Sequence, residues 1–214
     1  MMLEALREEV WKCNLELPKN GLVRMTSGNV SGRDPESGLV VIKPSGYRYQ
    51  DLTPAHMVVV DPDGNVREGD LAPSIDTGTH LYVYRQRPDV CGMAHTHSVY
   101  ASTFAALGQS IPPCLTASAM MGGEVPLGGY VAIGDEAIGA EIVRKIGKSL
   151  AIIMQNHGVF TIGRSATHAT KIAIEVEEIA KITHLAMTRG QPIILRPEQI
   201  AEMVDLYANR YGQR

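Results

Sequence analysis

The chain is poor in cysteine, in aromatic residues and in clustered positive charge. Its 214 residues include three cysteines, two phenylalanines and one tryptophan. Cys13, Cys91 and Cys114 are odd in number and far apart, with no CxxC pair. That excludes a disulfide framework and a zinc ribbon, and points to reduced thiols in a cytoplasmic protein. The net charge is -3 and no basic block occurs, so nucleic acid is excluded as the main partner. No apolar run approaches the roughly 20 residues of a membrane span, and the N-terminus has no signal-peptide core, so no membrane association is expected. What is present is 44% hydrophobic and 20% charged, an ordinary composition for a globular protein with a substantial core.

Leu3, Leu6, Val10, Cys13 and Leu17 recur at spacings of three and four, predicting a helix over 3–17 that Pro18-Lys19-Asn20-Gly21 stops. Strands are expected over 22–25, 39–42, 90–94, 130–133 and 150–154. A hairpin joins 56–60 to 66–68 around Asp61-Pro62-Asp63-Gly64-Asn65. Helices are expected over 79–85 (closed by Pro88), 99–107 (capped by Ser98), 135–147, from Ser165 to about 189, and from Pro197 towards 211. Residues 110–129, rich in Pro, Gly and Met, resist assignment. With no linker, repeat or low-complexity segment, the expectation is one α/β domain over 1–214, a sheet covered by helices.

The centre of the chemistry is Met93-Ala94-His95-Thr96-His97-Ser98. Histidines at i and i+2 of a strand point to one face, close enough to share an ion. Such a pair serves equally well as a hydrogen-bonded core feature, so further donors matter. His157 follows the apolar stretch 150–154 directly, where a sheet would deliver it to the same edge, and Asp76 stands at the mouth of a helix. Three imidazoles and a carboxylate with an open position suit a catalytic Zn²⁺. His56, His80, His168 and His184 lack such neighbours and read as structural or surface residues. Three polar turns, Gly28-Asn29, Ser45-Gly46 and Pro73-Ser74, offer N–H groups, hydroxyls and an amide that can cradle a phosphate, or can be plain turns.

Gly28-Asn29-Val30-Ser31, Lys43-Pro44-Ser45-Gly46, Pro73-Ser74-Ile75-Asp76, His95-Thr96-His97-Ser98, Asn156-His157-Gly158 and the terminal Tyr211-Gly212-Gln213 occur in one order over almost the whole chain. In these stretches the sequence resembles the class II aldolase/adducin family of zinc-dependent sugar-phosphate enzymes. Asp76 and the Tyr-Gly-Gln ending look most like the L-ribulose-5-phosphate 4-epimerases, with the L-fuculose-1-phosphate aldolases next. The resemblance implies a single domain with a largely antiparallel central sheet and a homotetramer with sites at subunit interfaces. It implies a metal, Zn²⁺ or else Mn²⁺ or Co²⁺, on His95, His97 and His157, with Asp76 as ligand or neighbouring base. It implies phosphate on Gly28, Asn29, Ser45, Gly46 and Ser74, and Tyr211 as an acid reaching an adjacent subunit's site. The expected substrate is a phosphorylated sugar, whose C–C bond is made or broken through a metal-stabilised enediolate.

The sequence also departs from both subfamilies. No acid stands in 115–121; Ala119 or Met120 occupies the place of the epimerases' catalytic aspartate, and a residue near Ile200 that of a histidine. Thr116 stands for the aldolases' loop tyrosine, and Ile75 replaces the second of two paired serines. An epimerase needs proton donors on both faces of the aldehyde. With Tyr211 the one recognisable donor, the reading favours an aldolase over an epimerase. A non-catalytic adducin-like binding module is the remaining alternative, disfavoured by retention of all four candidate ligands.

Overall fold

The computed structural model describes residues 1–210. Strands β1 (Asn29–Arg33), β2 (Val40–Ile42), β3 (Val58–Val60), β4 (Val66–Glu68), β5 (Gly92–Thr96), β6 (Leu127–Gly128), β7 (Ala151–Met154) and β8 (Val159–Gly163) form one sheet. Their order is β4-β3-β2-β1-β5-β8-β7-β6. Every pairing is antiparallel except β6 with β7. Among the described residues six α-helices accompany it: α1 (Glu4–Lys19), α2 (Thr77–Gln86), α3 (Val99–Leu107), α4 (Ala137–Lys145), α5 (Ala166–Met187) and α6 (Pro197–Asn209). Among the described residues no helix is long and apolar enough to cross a membrane.

The strands β2, β3 and β7 are apolar on both faces because helices cover both sides of the sheet's interior. Val40, Ile42, Val58, Val60, Met93, Phe160 and Ile162 share a core with Leu81 and Val83 of α2 and Ile138 and Ile142 of α4. The alternate residues Val41, Val59 and Ala94 pack with Val10 and Leu17 of α1 and Ala169 and Ala173 of α5. This period-two division is what a half-apolar strand cannot show. The α1 helix is tied to the sheet by buried Asn14, which takes the N–H of Val30 (2.9 Å) and donates to its carbonyl (3.1 Å).

Several expectations are corrected. Residues 22–25 and 130–133 are not strands. Leu22 and Val23 are buried, but Met25 turns left-handed (φ 55°), and the Leu22 carbonyl serves His97 N–H instead of a ladder. Residues 130–133 carry β-formers that remain at the surface, with Tyr130 69% exposed and no partner strand. β8, hidden in sequence behind Asn156-His157-Gly158, is an additional central strand. Residues 110–129 contain a 3-10 turn over Thr116–Met121 and β6. The first helix runs one residue past Pro18, which its last turn tolerates. Ser98 stands at the N-cap of α3 without capping it; the Glu177 carboxylate of α5 accepts from Tyr100 N–H (2.9 Å) and Ala101 N–H (3.0 Å). Ser165 does cap α5, accepting from His168 N–H (3.1 Å).

Two glycines let helices lie directly on the sheet. A Cβ on Gly92 would meet the Ser165 carbonyl oxygen at 2.0 Å, a backbone contact with nothing flexible to give. A Cβ on Gly32 would meet the ends of the Leu6 and Val10 side chains, at 2.8 and 3.0 Å. Gly92→Ala is therefore expected to cost about 3 kcal/mol or more, at the upper end for overpacking, and Gly32→Ala about 1 kcal/mol. Urea midpoints of the two variants check this, and equal midpoints would contradict the packing argument.

Candidate metal centre and adjoining cavity

β1 and β5 pair so that Asn29 lies opposite His95. β5 ends at Thr96, His97 follows, and His157 stands in the four-residue turn joining β7 to β8. That turn is pinned by Asn156 N–H to the Ala105 carbonyl (3.1 Å) and Gln155 N–H to the Gly128 carbonyl (3.1 Å). The three rings thus converge, with centroids 4.7 Å (His95–His97), 4.8 Å (His95–His157) and 5.4 Å (His97–His157) apart. Gly158 makes room for them: a Cβ there would lie 2.8 Å from His97 Cδ2 and 3.3 Å from His95 Cε1.

Each histidine offers a ring nitrogen, and the three lie within 4.8 Å of one another. His95 Nδ1 lies 3.0 Å from the Val159 carbonyl, which can only accept. The proton is therefore on Nδ1, and Nε2 presents a lone pair, 2.9 Å from His97 Nε2. His157 Nδ1 is buried without a partner. Burial pushes the His95 imidazole down to about 3 and also lowers His97 and His157, so all three are neutral, the ligating form. The His95 ring is further fixed by stacking on Phe160 at 4.0 Å. Three neutral nitrogens with fixed orientation can hold a divalent metal ion and leave positions open.

The histidines form one end of a cavity of about 220 Å³. Gly28, Asn29, Ser45, Gly46, Ser74 and Asp76 line the remainder, so the structure gathers every described residue singled out from sequence. Tyr211 lies outside the described residues. Asn29, 1% exposed, donates from Nδ2 to Asp76 Oδ2 (2.7 Å) and Ser74 Oγ (3.1 Å), and Asp76 N–H reaches the same hydroxyl (3.3 Å). Burial drives the Asp76 carboxyl upward, but His95, His80, the Asn29 amide and His157 outweigh it and hold it below the ordinary carboxylate range. The compact group of metal donors comprises the three histidines; Asp76 stands beside it in the same cavity.

Lys43 is the residue that sequence reasoning passed over. It is 2% exposed, lines the cavity and donates to the carbonyls of Pro44 (3.2 Å) and Thr26 (3.3 Å), with its ammonium 4.9 Å from the Tyr49 ring centre. Burial lowers it to about 8, against the opposing pull of Asp76. Its signal in sequence is faint, a single cation directly after an apolar strand and before Pro-Ser-Gly. Gly28 is required on two counts, a left-handed φ of 74° and a Cβ position 2.7 Å from the His95 carbonyl oxygen. Glu124, the nearest acid to the loop that lacks one, borders a different groove with Lys148 and Ile200.

Comparison with known proteins gives a consistent picture. Residues 8–184 match the family described as the Class II Aldolase and Adducin N-terminal domain. The chain is 38% identical over 209 residues to the L-ribulose-5-phosphate 4-epimerase UlaF of Salmonella paratyphi C (strain RKS4594), covering 91% of this chain and 90% of that protein. Its structure superposes on an L-fuculose 1-phosphate aldolase with a TM-score of 0.91 at 30% identity, covering 95% of this chain and 96% of the other. The L-fuculose 1-phosphate aldolase of Glaciozyma antarctica PI12, at 23% identity, shares the fold with a TM-score of 0.82 over 94% of this chain and 81% of that one.

The geometry predicts one divalent ion per chain after reconstitution with Zn²⁺ and desalting. His95→Ala, His97→Ala and His157→Ala should each lose it while keeping wild-type far-ultraviolet circular dichroism. Gly158→Ala, with all three ligands intact, should weaken binding at least about tenfold, the scale of lost outer-shell support. Elemental analysis and a competing chromophoric chelator provide the readouts; stoichiometric binding by the alanine variants would remove the histidines from the site.

Proposed function

The chain belongs to the class II aldolase and adducin family, and from that premise we propose that it is a zinc-dependent sugar-phosphate aldolase. The observation that carries the choice of aldolase is that Asp76 is the one carboxylate among the described residues lining the cavity. Cleavage and re-addition from the opposite face would call for proton donors on both sides. The second reading, an L-ribulose-5-phosphate 4-epimerase-type isomerase, is favoured by the 38% identity to such an enzyme. A non-catalytic binding module is disfavoured by the intact histidine group.

In this reading His95, His97 and His157 hold the Zn²⁺, and Mn²⁺ or Co²⁺ can take its place. The ion supplies Lewis-acid polarisation of a ketose carbonyl. Lys43, Ser74 and the backbone of Gly28, Ser45 and Gly46 take the phosphate, a cation among surrounding donors. Asn29 serves both ends, orienting Asp76 through Nδ2 beside the phosphate turn. Asp76 is the base inside the cavity, kept ionised by its neighbours. In condensation Asp76 would take the proton from the carbon beside the ketose carbonyl, that carbon bonds to the aldehyde carbon, and Tyr211 of an adjacent subunit gives a proton to the aldehyde oxygen as it becomes a hydroxyl; cleavage runs the same two transfers in reverse. Exposed Ile75 and Ile133 at the cavity support a homotetrameric assembly in which a neighbouring copy covers the mouth. Three unpaired cysteines accord with a reducing, cytoplasmic setting.

The deciding experiment incubates the protein with a panel of ketose phosphates and scores aldehyde release and epimer formation together. Aldehyde without epimer is expected; epimer without free aldehyde would establish the second reading, and neither product with a metal-loaded protein would overturn both. Tyr211→Phe should lower kcat by about 10²–10⁴-fold with KM little changed.

Ser74→Ala removes a hydroxyl donor to a charged group, at about 1.5–3 kcal/mol, so phosphorylated substrates should bind roughly ten- to a hundredfold more weakly. Non-phosphorylated analogues should be nearly unaffected. Phosphate affinity should also fall as pH rises through about 8, where Lys43 in the empty cavity loses its proton. Lys43→Met should bind weakly and show no such step; a persisting step in that variant would assign it elsewhere.

A further inference from the structure

Strand β1 and helix α2 run side by side and are joined by three evenly spaced contacts. Asn29 Nδ2 reaches Asp76 Oδ2 at 2.7 Å. Ser31 Oγ lies 2.7 Å from His80 Nδ1. Arg33 donates to the Tyr84 carbonyl at 2.8 Å and lies over the Tyr84 ring. The strand partners are two residues apart and the helix partners four. Two strand residues span about 6.7 Å and four helical residues about 6 Å, so the repeats match to within about 1 Å per step. The ladder therefore holds α2 in one longitudinal register on β1.

The middle rung is buried entirely: Ser31 and His80 are both 0% exposed and Tyr84 is 3% exposed. Ser31 Oγ also lies 2.7 Å from the Tyr84 hydroxyl. One direction of donation satisfies both hydroxyls, Tyr84 O–H to Ser31 and Ser31 O–H to His80 Nδ1. The same imidazole sits edge-on to Phe160, the ring on which His95 stacks. A polar rung in a core is costly unless it specifies something, and what it adjoins is the Asn29–Asp76 contact one step away.

We propose that His80 is a positioning residue for Asp76, acting through its rung with Ser31 to keep α2 in register so that the Asp76 carboxylate remains on the Asn29 amide. It does not touch the cavity, whose lining contains Asp76 and Asn29 but neither Ser31 nor His80. The inference rests on the reading of Asp76 as a working group of the aldolase or epimerase site.

Ser31→Ala removes a single oxygen and breaks the rung; His80→Leu breaks it from the other side. Misplacement of a reacting group by 1 Å costs about 10²-fold, so kcat should fall between ten- and a hundredfold in both, with KM within twofold and bound zinc unchanged. His80→Asn keeps an amide where Nδ1 stood and should retain about tenfold more kcat than His80→Leu. Tyr84→Phe leaves the rung in place and should be near wild type. In an Asp76→Asn background Ser31→Ala should have no further effect on residual turnover, since a residue acting through Asp76 has nothing left to position. The second readout needs no turnover: the Asn29 side-chain amide signals, assigned by ¹⁵N labelling, should shift in Ser31→Ala and His80→Leu but not in Tyr84→Phe. Should His80→Leu fail to fold, Ser31→Ala carries the test alone. Lowered melting temperature with wild-type kcat and unmoved Asn29 signals would reduce the rung to a stability element and overturn the proposal. Absence of turnover in the wild type would instead count against the aldolase or epimerase reading, while the amide signals would still report on the rung.

Discussion

Everything at the site depends on the register of β1 against β5. Asn29 pairs with His95, Val30 with Ala94 and Ser31 with Met93. Because side chains alternate, a slip of one residue would turn Val30 into the cavity and send Asn29 and Ser31 into the core formed with α1 and α5. The register is held from both sides. Val30, Val41, Val59 and Ala94 belong to one core, and Met93, Ile42 and Val60 to the other. Asn14 adds a directional restraint, since its amide fits both backbone groups of Val30. Hydrophobic packing therefore fixes which residues face the cavity, and hydrogen bonds fix how they are turned.

The cavity gathers groups that low polarity treats differently. Burial disfavours charge on the three imidazoles, and they stay neutral as donors. It also weakens the proton hold of Lys43, yet leaves it a cation below about pH 8. Asp76 keeps its charge because the Asn29 amide donates to it, and because the neighbouring imidazoles, which charge only in acid, oppose its protonation there. The result is one cavity that holds an ammonium, a carboxylate and uncharged nitrogen donors, arranged before any ligand arrives. Such preorganisation is what an ion and a phosphate in close proximity require, because neither can be accommodated by solvent rearrangement in so small a space.

Much of this was legible from residue order. The i, i+2 spacing of His95 and His97 follows from strand geometry, and the position of His157 after an apolar strand placed it at the same edge. The turns at Gly28, Ser45 and Ser74, read from sequence as possible phosphate donors or plain turns, line the cavity. Lys43 was missed because a lone cation has no periodicity. His80, read from sequence as a structural or surface residue, is structural, but its pairing with Ser31 across a strand and a helix leaves no local pattern. Residues 22–25 and 130–133 misled because β-formers need a partner strand as well as propensity. Ser98 misled because a distant carboxylate, Glu177, took over its task.

The order of strands carries a consequence for how the protein is made. β8 is the last strand in the chain, yet it lies between β5 and β7. His95 meets the Val159 carbonyl across 64 residues, and Asn29 meets Asp76 across 47. No short fragment contains the site, whose lining runs from Thr26 to His157, and a chain emerging N-terminus first must keep a gap beside β5 until residues 159–163 arrive to fill it. Contacts of such long range are slow to form, and an unfilled central gap exposes two strand edges meanwhile. The histidine group consequently depends on β8 joining β5, because His95 meets the Val159 carbonyl and His157 stands in the turn that leads into that strand.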